Sequence, residues 1–361
     1  MLYGLEAYNP FYQTHSQLVI MKFRVKTFSR RGFKCFYLAA LILSWISFTF
    51  FFLFPPSNSI TECDVLDSKR MKIQLLGNDS NNEEASAPRQ SVNKSENPVL
   101  KHKTTLITTK TCSQHYILLI LVSSAPCNLQ RRKDIRQTWG VDFALNPRWK
   151  TVFLVAQTRN ESVSDLLLKE ENVFGDLVRA QYYDHYWNQT LKIQMAFEWA
   201  FMYCNFSFLL KMDDDTFVDV KGLISLLAKP ATPQGKLYIG KCFKKAKVKR
   251  KGKWKISFED YNATFYPEYC SGFGIVLSSD VINKFVDLFD VLPKFKVDDV
   301  YIGMLAEKAG VKPIFKGDFL SRFSMQPPRS KSCVDLKKHI LVRHGIIGKC
   351  LFELFQATLG I

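Results

Sequence analysis

The chain has 361 residues, 47% of them hydrophobic, and a formal net charge of +17. This length allows two domains or one large one, and the apolar fraction is enough for a sizeable core. Such a positive charge is typical of proteins that bind nucleic acid or membranes. Here, however, most of it lies in two short patches, one before an N-terminal apolar run and one in residues 241–255. This distribution argues against a nucleic-acid-binding domain.

Residues 35–54 contain no charged side chain and end at two prolines. Roughly 20 apolar residues span a bilayer as a helix. Because six basic residues precede this run, the N-terminus is expected in the cytoplasm and the rest of the chain in a lumen. A cleaved signal peptide is the alternative, but it would have a shorter apolar stretch and a small-residue cleavage site. The sequence thus predicts a cytoplasmic tail (1–34), a transmembrane signal-anchor (35–54), a flexible luminal stem (55–110) and a folded domain (111–361).

Cysteines and glycosylation sequons fit a luminal domain. Eight cysteines follow the predicted anchor, an even number that is expected to form disulfides in an oxidising compartment. They include no CxxC pair, so the sequence predicts no zinc site. Six Asn-X-Ser/Thr sequons are candidate glycosylation sites: Asn78, Asn93, Asn160, Asn188, Asn205 and Asn262.

Strands and helices are predicted to alternate from Tyr116 onward. Short apolar runs predict strands at 116–122, 151–156, 176–182 and 206–212. Helical periodicity and end signals predict helices at 129–139, 162–171 and 191–204. This alternation predicts an α/β fold with a mostly parallel, doubly wound sheet. The second half predicts a strand at 274–277, a helix capped by Ser279, and a helix that begins near Asp298.

The strand at 206–212 ends at three acids, Asp213, Asp214 and Asp215. Open α/β sheets bind ligands at this end of their strands, and adjacent carboxylates repel one another unless a cation lies between them. Alternation along a strand would point Asp213 and Asp215 the same way and Asp214 the opposite way. The pattern therefore predicts a divalent cation that also holds phosphate oxygens. A solvated acidic turn is the alternative.

Two further segments carry candidate site residues. Ser271, Gly272 and Gly274 either let a ligand approach the backbone closely or form an ordinary tight turn. Asp298 and Asp299 begin a predicted helix, where capping accounts for one acid better than for two. Their side chains leave a helix about 100° apart, so one can enter a cavity while the other caps. The chain lacks the glycine-rich motifs of dinucleotide and P-loop proteins and the spacing of an EF-hand.

Five segments, taken together and in this order, carry a family resemblance: residues 132–140, 188–192, 211–217, 269–274 and 298–303. They resemble the β-1,3-galactosyltransferase and β-1,3-N-acetylglucosaminyltransferase family, glycosyltransferase family 31. The resemblance implies a GT-A-like nucleotide-sugar domain, a UDP-sugar donor, Mn²⁺ as cofactor, a glycan acceptor and inversion at the anomeric carbon. It also implies a type II protein of the Golgi membrane.

The resemblance assigns roles to individual residues. The metal would be bound by Asp213, Asp215 and His344. The donor would contact Asp214, Ser271, Gly272 and the pair Arg132 and Arg136, although these arginines could instead only pack the first helix. Asp299 would be the general base, with Asp298 as the second choice. Many relatives have a cysteine where Met304 or Leu305 stands, which leaves the pairing of Cys333 open.

The favoured function is a metal-dependent, inverting β-1,3-glycosyltransferase that acts on glycoprotein or glycolipid glycans. The segment 237–254 resembles the galactosyltransferases, which favours galactose over N-acetylglucosamine as the transferred hexose. The alternative is a non-catalytic, lectin-like or chaperone protein of the Golgi membrane on the same fold. Residues 241–255, here called the basic segment, either form a mobile, solvated run or steer an anionic acceptor. The sequence leaves open whether the protein forms a homo-oligomer.

Overall fold

The computed structural model describes residues 103–320, 333 and 340–360. The predicted tail, the anchor at 35–54, and the sequons at Asn78 and Asn93 lie outside these residues. Within the described ranges, none of the helices combines the length and the apolar character that crossing a bilayer requires.

The described strands are β1 (His115–Ser123), β2 (Trp149–Gln157), β3 (Leu177–Tyr183), β4 (Asn205–Asp213), β5 (Thr216–Val218), β6 (Tyr238–Phe243), β7 (Tyr269–Ser278), β8 (Ile314–Phe315), β9 (Phe319–Leu320) and β10 (Val342–His344). The α-helices are α1 (Leu129–Arg136), α2 (Glu161–Phe174), α3 (Gln189–Tyr203), α4 (Val220–Leu227), α5 (Ser279–Leu288), α6 (Asp298–Lys308) and α7 (Lys349–Leu359). A short 3₁₀ turn, Tyr186–Asn188, precedes α3.

In the described part of the chain, seven strands form one mixed sheet in the order β3-β2-β1-β4-β7-β6-β8. The pairs β1–β2, β2–β3, β1–β4 and β6–β8 are parallel, whereas β7 runs antiparallel to β4 and β6. The predicted α/β class with a mostly parallel sheet is confirmed. A smaller sheet has the order β5-β10-β9.

The central strands are apolar on both faces because helices cover both sides of the sheet. In β1, Leu119 and Leu121 pack into one apolar cluster, and Leu118 and Ile120 pack into the other. Residues of α3, α5 and α6 complete the first cluster, and residues of α1, α4 and α7 complete the second. This sandwich leaves the ends of the strands as the open edge on which a site can form.

Two details of the predicted helices are wrong. The first helix ends at Arg136 rather than 139, and the following turn closes with the N–H of Gly140 donating to the carbonyl of Ile135 at 2.9 Å. A Cβ on Gly140 would lie 2.6 Å from that oxygen, so the turn requires glycine. Helix α5 is preceded by Ser278 rather than capped by Ser279, and the Ser278 hydroxyl accepts instead from the N–H of Leu237.

The expected disulfides are present in the described residues. They join Cys112 to Cys204, Cys242 to Cys270 and Cys333 to Cys350. The first links the segments that lead into the neighbouring strands β1 and β4, and the second links β6 to β7. The partner of Cys333, which the sequence left open, is therefore Cys350.

The four sequons in the described residues differ in exposure. Asn160, Asn205 and Asn262 are exposed, whereas Asn188 is half-buried. The Asn188 amide donates to the carbonyl of Tyr183 at 3.0 Å. Glycosylation at each of them stays a prediction.

Candidate functional site

A cavity of about 660 Å³ opens where β1 and β4 end. The predicted site residues that line it are Asp213, Asp214, Asp215, Ser271, Gly272, Asp298, Asp299 and His344. These residues come from distant parts of the sequence, and the order of the strands brings them to one edge of the sheet. The structure therefore assembles most of the predicted site.

Asp213, Asp215 and His344 form a cluster that could hold a metal ion. Each offers one ligand atom, and these atoms all lie within 4.8 Å of one another. The Nε2 atom of His344 lies 3.3 Å from Oδ1 of Asp215. Two carboxylates and one imidazole suit a divalent first-row metal such as Mn²⁺.

The fold explains why a histidine so late in the chain reaches these acids. Strand β10 pairs antiparallel with β5, which places His344 opposite Thr216. The carbonyl of Asp215 accepts the N–H groups of Gly345 and Ile346 at 2.8 and 2.7 Å. The His344 ring stacks on Phe273 of β7, with centroids 5.1 Å apart and planes 8° apart. The imidazole is thus held from two sides.

Asp214 points away from the other two acids, as predicted. Its carboxylate accepts from Ser124 Oγ and Asn128 Nδ2, both at 2.8 Å, and from Arg131 at 2.9 Å. The predicted cause was strand alternation, but β4 ends at Asp213 and a turn follows. Asp214 therefore fixes this turn against the start of α1, and its donor contact stays a prediction.

Lys211, which the sequence prediction did not include, joins the two acid groups. Its Nζ lies 3.1 Å from Asp213 and 3.3 Å from Asp298, and it donates to the carbonyl of Gly272 at 2.7 Å. Burial alone would lower the pKa of Lys211, but the two carboxylates outweigh burial and raise it. The lysine therefore remains protonated and ties the strand end to the start of α6.

Asp299 differs from Asp298 in its surroundings. Burial, helped by the charge of Asp298, raises the pKa of Asp299 to about 7. Asp298 instead forms an ion pair with Lys211. Both acids line the cavity, and the carboxylate of Asp299 also accepts from the N–H of Val300 at 2.9 Å. A carboxyl that changes protonation near neutral pH has the property that a general base requires.

Residues 271–274 belong to β7, so the tight-turn interpretation of this segment is wrong. Ser271 and Gly272 line the cavity. A Cβ on Gly272 would lie 3.0 Å from Nζ of Lys211 and 3.4 Å from Cβ of Asp299. The glycine therefore lets this lysine and this acid approach the strand.

The prediction that Arg132 and Arg136 contact the donor needs correction, because neither lines the cavity. Arg132 is fully buried, forms an ion pair with Glu170 at 2.7 Å, and donates to Ser124 Oγ. Arg136 lies between Glu170 and Asp176, at 2.7 Å from each. The structure thus favours the alternative that they pack the first helix.

Arg132→Met is expected to lower the free energy of unfolding by about 3 kcal/mol, because it leaves Glu170 buried with one of its two cations gone. Arg159→Met is the control and should leave the stability nearly unchanged, since Arg159 is exposed and does not line the cavity. Urea unfolding measures the free energy of unfolding of both variants and of the wild type. An Arg132→Met protein of unchanged stability and weakened donor binding would contradict this assignment.

The raised pKa of Asp299 predicts a pH-dependent stability in metal-free protein. In an unfolded chain the carboxyl has a pKa of about 3.9, whereas in the fold burial raises it to about 7. The neutral form therefore stabilises the fold at low pH, and this contribution is lost as the pH rises through 7. Asp299→Asn stays neutral, so its Tm should exceed that of the wild type by more at pH 8 than at pH 5. An equal difference at both pH values would contradict the shift.

Comparisons with known proteins identify the family of the chain. The galactosyltransferase family model matches residues 130–316, more than half of the chain. A rat UDP-GlcNAc:betaGal beta-1,3-N-acetylglucosaminyltransferase 7 is 33% identical, in a match covering 65% of this chain and 62% of that protein. Human beta-1,3-galactosyltransferase 5 is 30% identical, over 66% of this chain and 77% of that protein.

Among solved structures, galactosyltransferase LgtC in complex with donor and acceptor sugar analogs overlays with a TM-score of 0.33 and 10% identity. That overlay covers 67% of this chain and 95% of LgtC. By its sequence matches, the chain belongs to the galactosyltransferase family.

Proposed function

We propose that this protein is a metal-dependent, inverting β-1,3-glycosyltransferase that moves a hexose from a UDP-sugar to a glycan. One observation carries the proposal: the cluster of Asp213, Asp215 and His344 and the acid Asp299 line the same cavity. Lys211 contacts both Asp213 and Asp298, which holds the two halves of the site at a fixed distance.

The residues present fit Mn²⁺. Burial raises the pKa of Asp213, and the charges of Asp298 and Asp215 raise it further, although Lys211 opposes them. Carboxylates crowded in this way are relieved by a cation, and the imidazole of His344 completes a donor set of nitrogen and oxygen. When bound, the ion would supply charge neutralisation for the diphosphate leaving group.

Asp299 would act on the acceptor. In a single displacement the acceptor hydroxyl attacks the anomeric carbon and loses its proton as it does so. A carboxylate within about 3 Å of that hydroxyl can take the proton. With a pKa of about 7, Asp299 is partly ionised at neutral pH and basic enough for this role. The GT-A-like assignment rests on the mixed α/β sheet and on the family.

Both galactose and N-acetylglucosamine are candidate donors, because the named relatives include transferases of both kinds. Galactose is the first to test, since residues 237–254 resemble the galactosyltransferases. The acceptor would be a glycan on a glycoprotein or glycolipid. The proposed location is the Golgi membrane, which rests on the family resemblance. The charge-flanked apolar run at 35–54 supports a single-pass type II anchor with the catalytic domain in the lumen.

A UDP-release screen of the purified full-length chain tests the proposal. With Mn²⁺, UDP-galactose or UDP-N-acetylglucosamine, and galactose- or N-acetylglucosamine-terminated acceptors, we expect acceptor-dependent release of UDP that EDTA abolishes. The lectin-like alternative predicts saturable glycan binding without release of UDP from any donor. That outcome would overturn the proposed function.

A further inference from the structure

Part of the cavity wall is aromatic and cationic, and the proposed chemistry does not use it. Tyr186, Trp254 and Phe243 line the cavity with side chains that are 38–45% exposed. Lys247 and Lys249 line it beside them. Exposed aromatic surface that surrounds a cavity is typical of a binding site.

The basic segment that supplies most of this wall is folded, which corrects its interpretation as a merely solvated run. The N–H of Val248 donates to the backbone carbonyl of Thr264 at 3.0 Å, and the side chain of Val248 is buried. The Arg250 guanidinium donates to the carbonyls at 256, 257 and 263 and lies 3.9 Å over the ring of Phe258. Lys247 and Lys249 therefore have fixed backbone positions on the cavity.

Two rings of the wall are joined to each other and to lysines. Trp254 Nε1 donates to the hydroxyl of Tyr186 at 2.6 Å, across 68 positions of sequence. Nζ of Lys249 lies 4.6 Å from the centroid of the Trp254 ring, and Nζ of Lys253 lies 4.5 Å from that of Tyr186. The hydrogen bond between the two side chains holds the rings in place, and the cation–π contacts bring ammonium groups to them.

The aromatic wall adjoins the acid proposed as the base. Burial raises the pKa of Tyr186, and the carboxylates of Asp298, Asp299 and Asp213 raise it further while the bond from Trp254 opposes them. The geometric link is the cavity itself, because Tyr186, Trp254 and Asp299 all line it. An acceptor bound in this cavity with its hydroxyl at Asp299 can therefore extend along the wall that carries Tyr186 and Trp254.

Two of the cations on this wall have no carboxylate partner in the described part of the chain. Lys247 and Lys249 are exposed, and neither forms an ion pair there. Lys296, on the same cavity, differs because it pairs with Asp260 at 2.7 Å. The rim therefore presents two ammonium groups beside two exposed rings.

We propose that Lys247 and Lys249, with the Tyr186–Trp254 pair, form an acceptor subsite for a glycan that carries an anionic substituent, a sulfate ester or a carboxylate. The inference rests on the proposed function, since it names the acceptor of the same site. The C–H face of a sugar ring is apolar and can pack on an aromatic face, while its substituent meets the ammonium groups. The contact also orients the acceptor, because rings and charges lie on the same wall.

The test compares two double variants of the full-length chain. Lys247→Ser with Lys249→Ser removes both cavity lysines, and Lys244→Ser with Lys251→Ser removes two exposed charges of the same segment that do not line the cavity. Arg250 is left in place because it supports the fold of the segment. The acceptors are one galactose-terminated disaccharide in neutral, sulfated and carboxylated forms.

The cavity variant should raise KM for the anionic acceptors about fivefold, with a change below about twofold for the neutral form and for the UDP-sugar. The control variant should change each of these KM values by less than about twofold. Raising the salt should shrink the wild-type preference, because the Debye length is about 8 Å at physiological ionic strength and about 3 Å at 1 M. An effect on sulfated or on carboxylated acceptors alone would identify the source of the negative charge.

An equal rise in KM for neutral and anionic acceptors, or a rise for the UDP-sugar, would overturn the proposal. Calorimetric titration with the three disaccharides in the presence of UDP and Mn²⁺ gives a second readout that needs no turnover. In this titration, the subsite is supported if the wild type binds an anionic disaccharide more tightly than the neutral one and only the cavity variant loses this difference. Equal affinity of the wild type for all three disaccharides overturns it. A wild type that binds the anionic form but transfers nothing would overturn only the proposed function.

Discussion

Asp299→Asn is expected to lower kcat by about 10²-fold or more while UDP-sugar binding in Mn²⁺ stays nearly unchanged. The substitution keeps the size of the side chain and removes its basicity. Because the pKa of Asp299 is raised to about 7, the wild-type rate should also fall as the pH drops below neutral. Initial rates across pH, with donor binding measured by calorimetry, check both parts.

Asp298→Asn is the matched control for the base. Asp298 shares Lys211 with Asp213, so its loss should weaken the positioning of the site and lower kcat by less than the Asp299 variant does. If Asp298→Asn were the inactive variant and Asp299→Asn stayed active, the two roles would be reversed. If both variants stayed active, the base would be a different residue.

Asp215→Ala should abolish both sugar transfer and Mn²⁺-dependent binding of UDP. Its carboxylate belongs to the cluster with Asp213 and His344, and without the cation a diphosphate would be repelled by the carboxylates that remain in the cavity. Titration of UDP with and without Mn²⁺ measures the effect, and the wild type should lose binding when EDTA is added.

Asp290→Ala is the control for Asp215→Ala, since Asp290 is exposed and pairs with Lys103 outside the cavity. It should bind UDP as the wild type does. Unchanged Mn²⁺ dependence in Asp215→Ala would place the metal at other residues and contradict the cluster as its site.

The sequence predicted the strand that ends at Asp213 because a short apolar run that stops abruptly at charged residues is typical of a buried strand. Residues 298 and 299 were predictable in a similar way, as two acids at one helix start. His344 was identified only through the family resemblance. Its position depends on the pairing of β5 with β10, which local patterns do not encode.

Other parts of the site depend on tertiary contacts that the sequence does not display. Arg131 and Arg132 are neighbours, yet about 100° of helix rotation sends Arg131 to the cavity and Arg132 into a buried ion pair. Lys211 lies in a largely apolar strand, and only the fold brings it to Asp298. The contact between Tyr186 and Trp254 likewise joins segments that no periodicity connects.

The central claim is that this cavity performs a metal-dependent, inverting transfer to the 3-hydroxyl of an acceptor. NMR analysis of the product formed by the full-length chain tests it most directly, because it reports the linkage and the anomeric configuration together. We predict a β-1,3-linked hexose that forms only with a divalent metal and is nearly absent with Asp299→Asn. A product that retains the anomeric configuration of the UDP-sugar, or that forms equally in EDTA, would contradict the account.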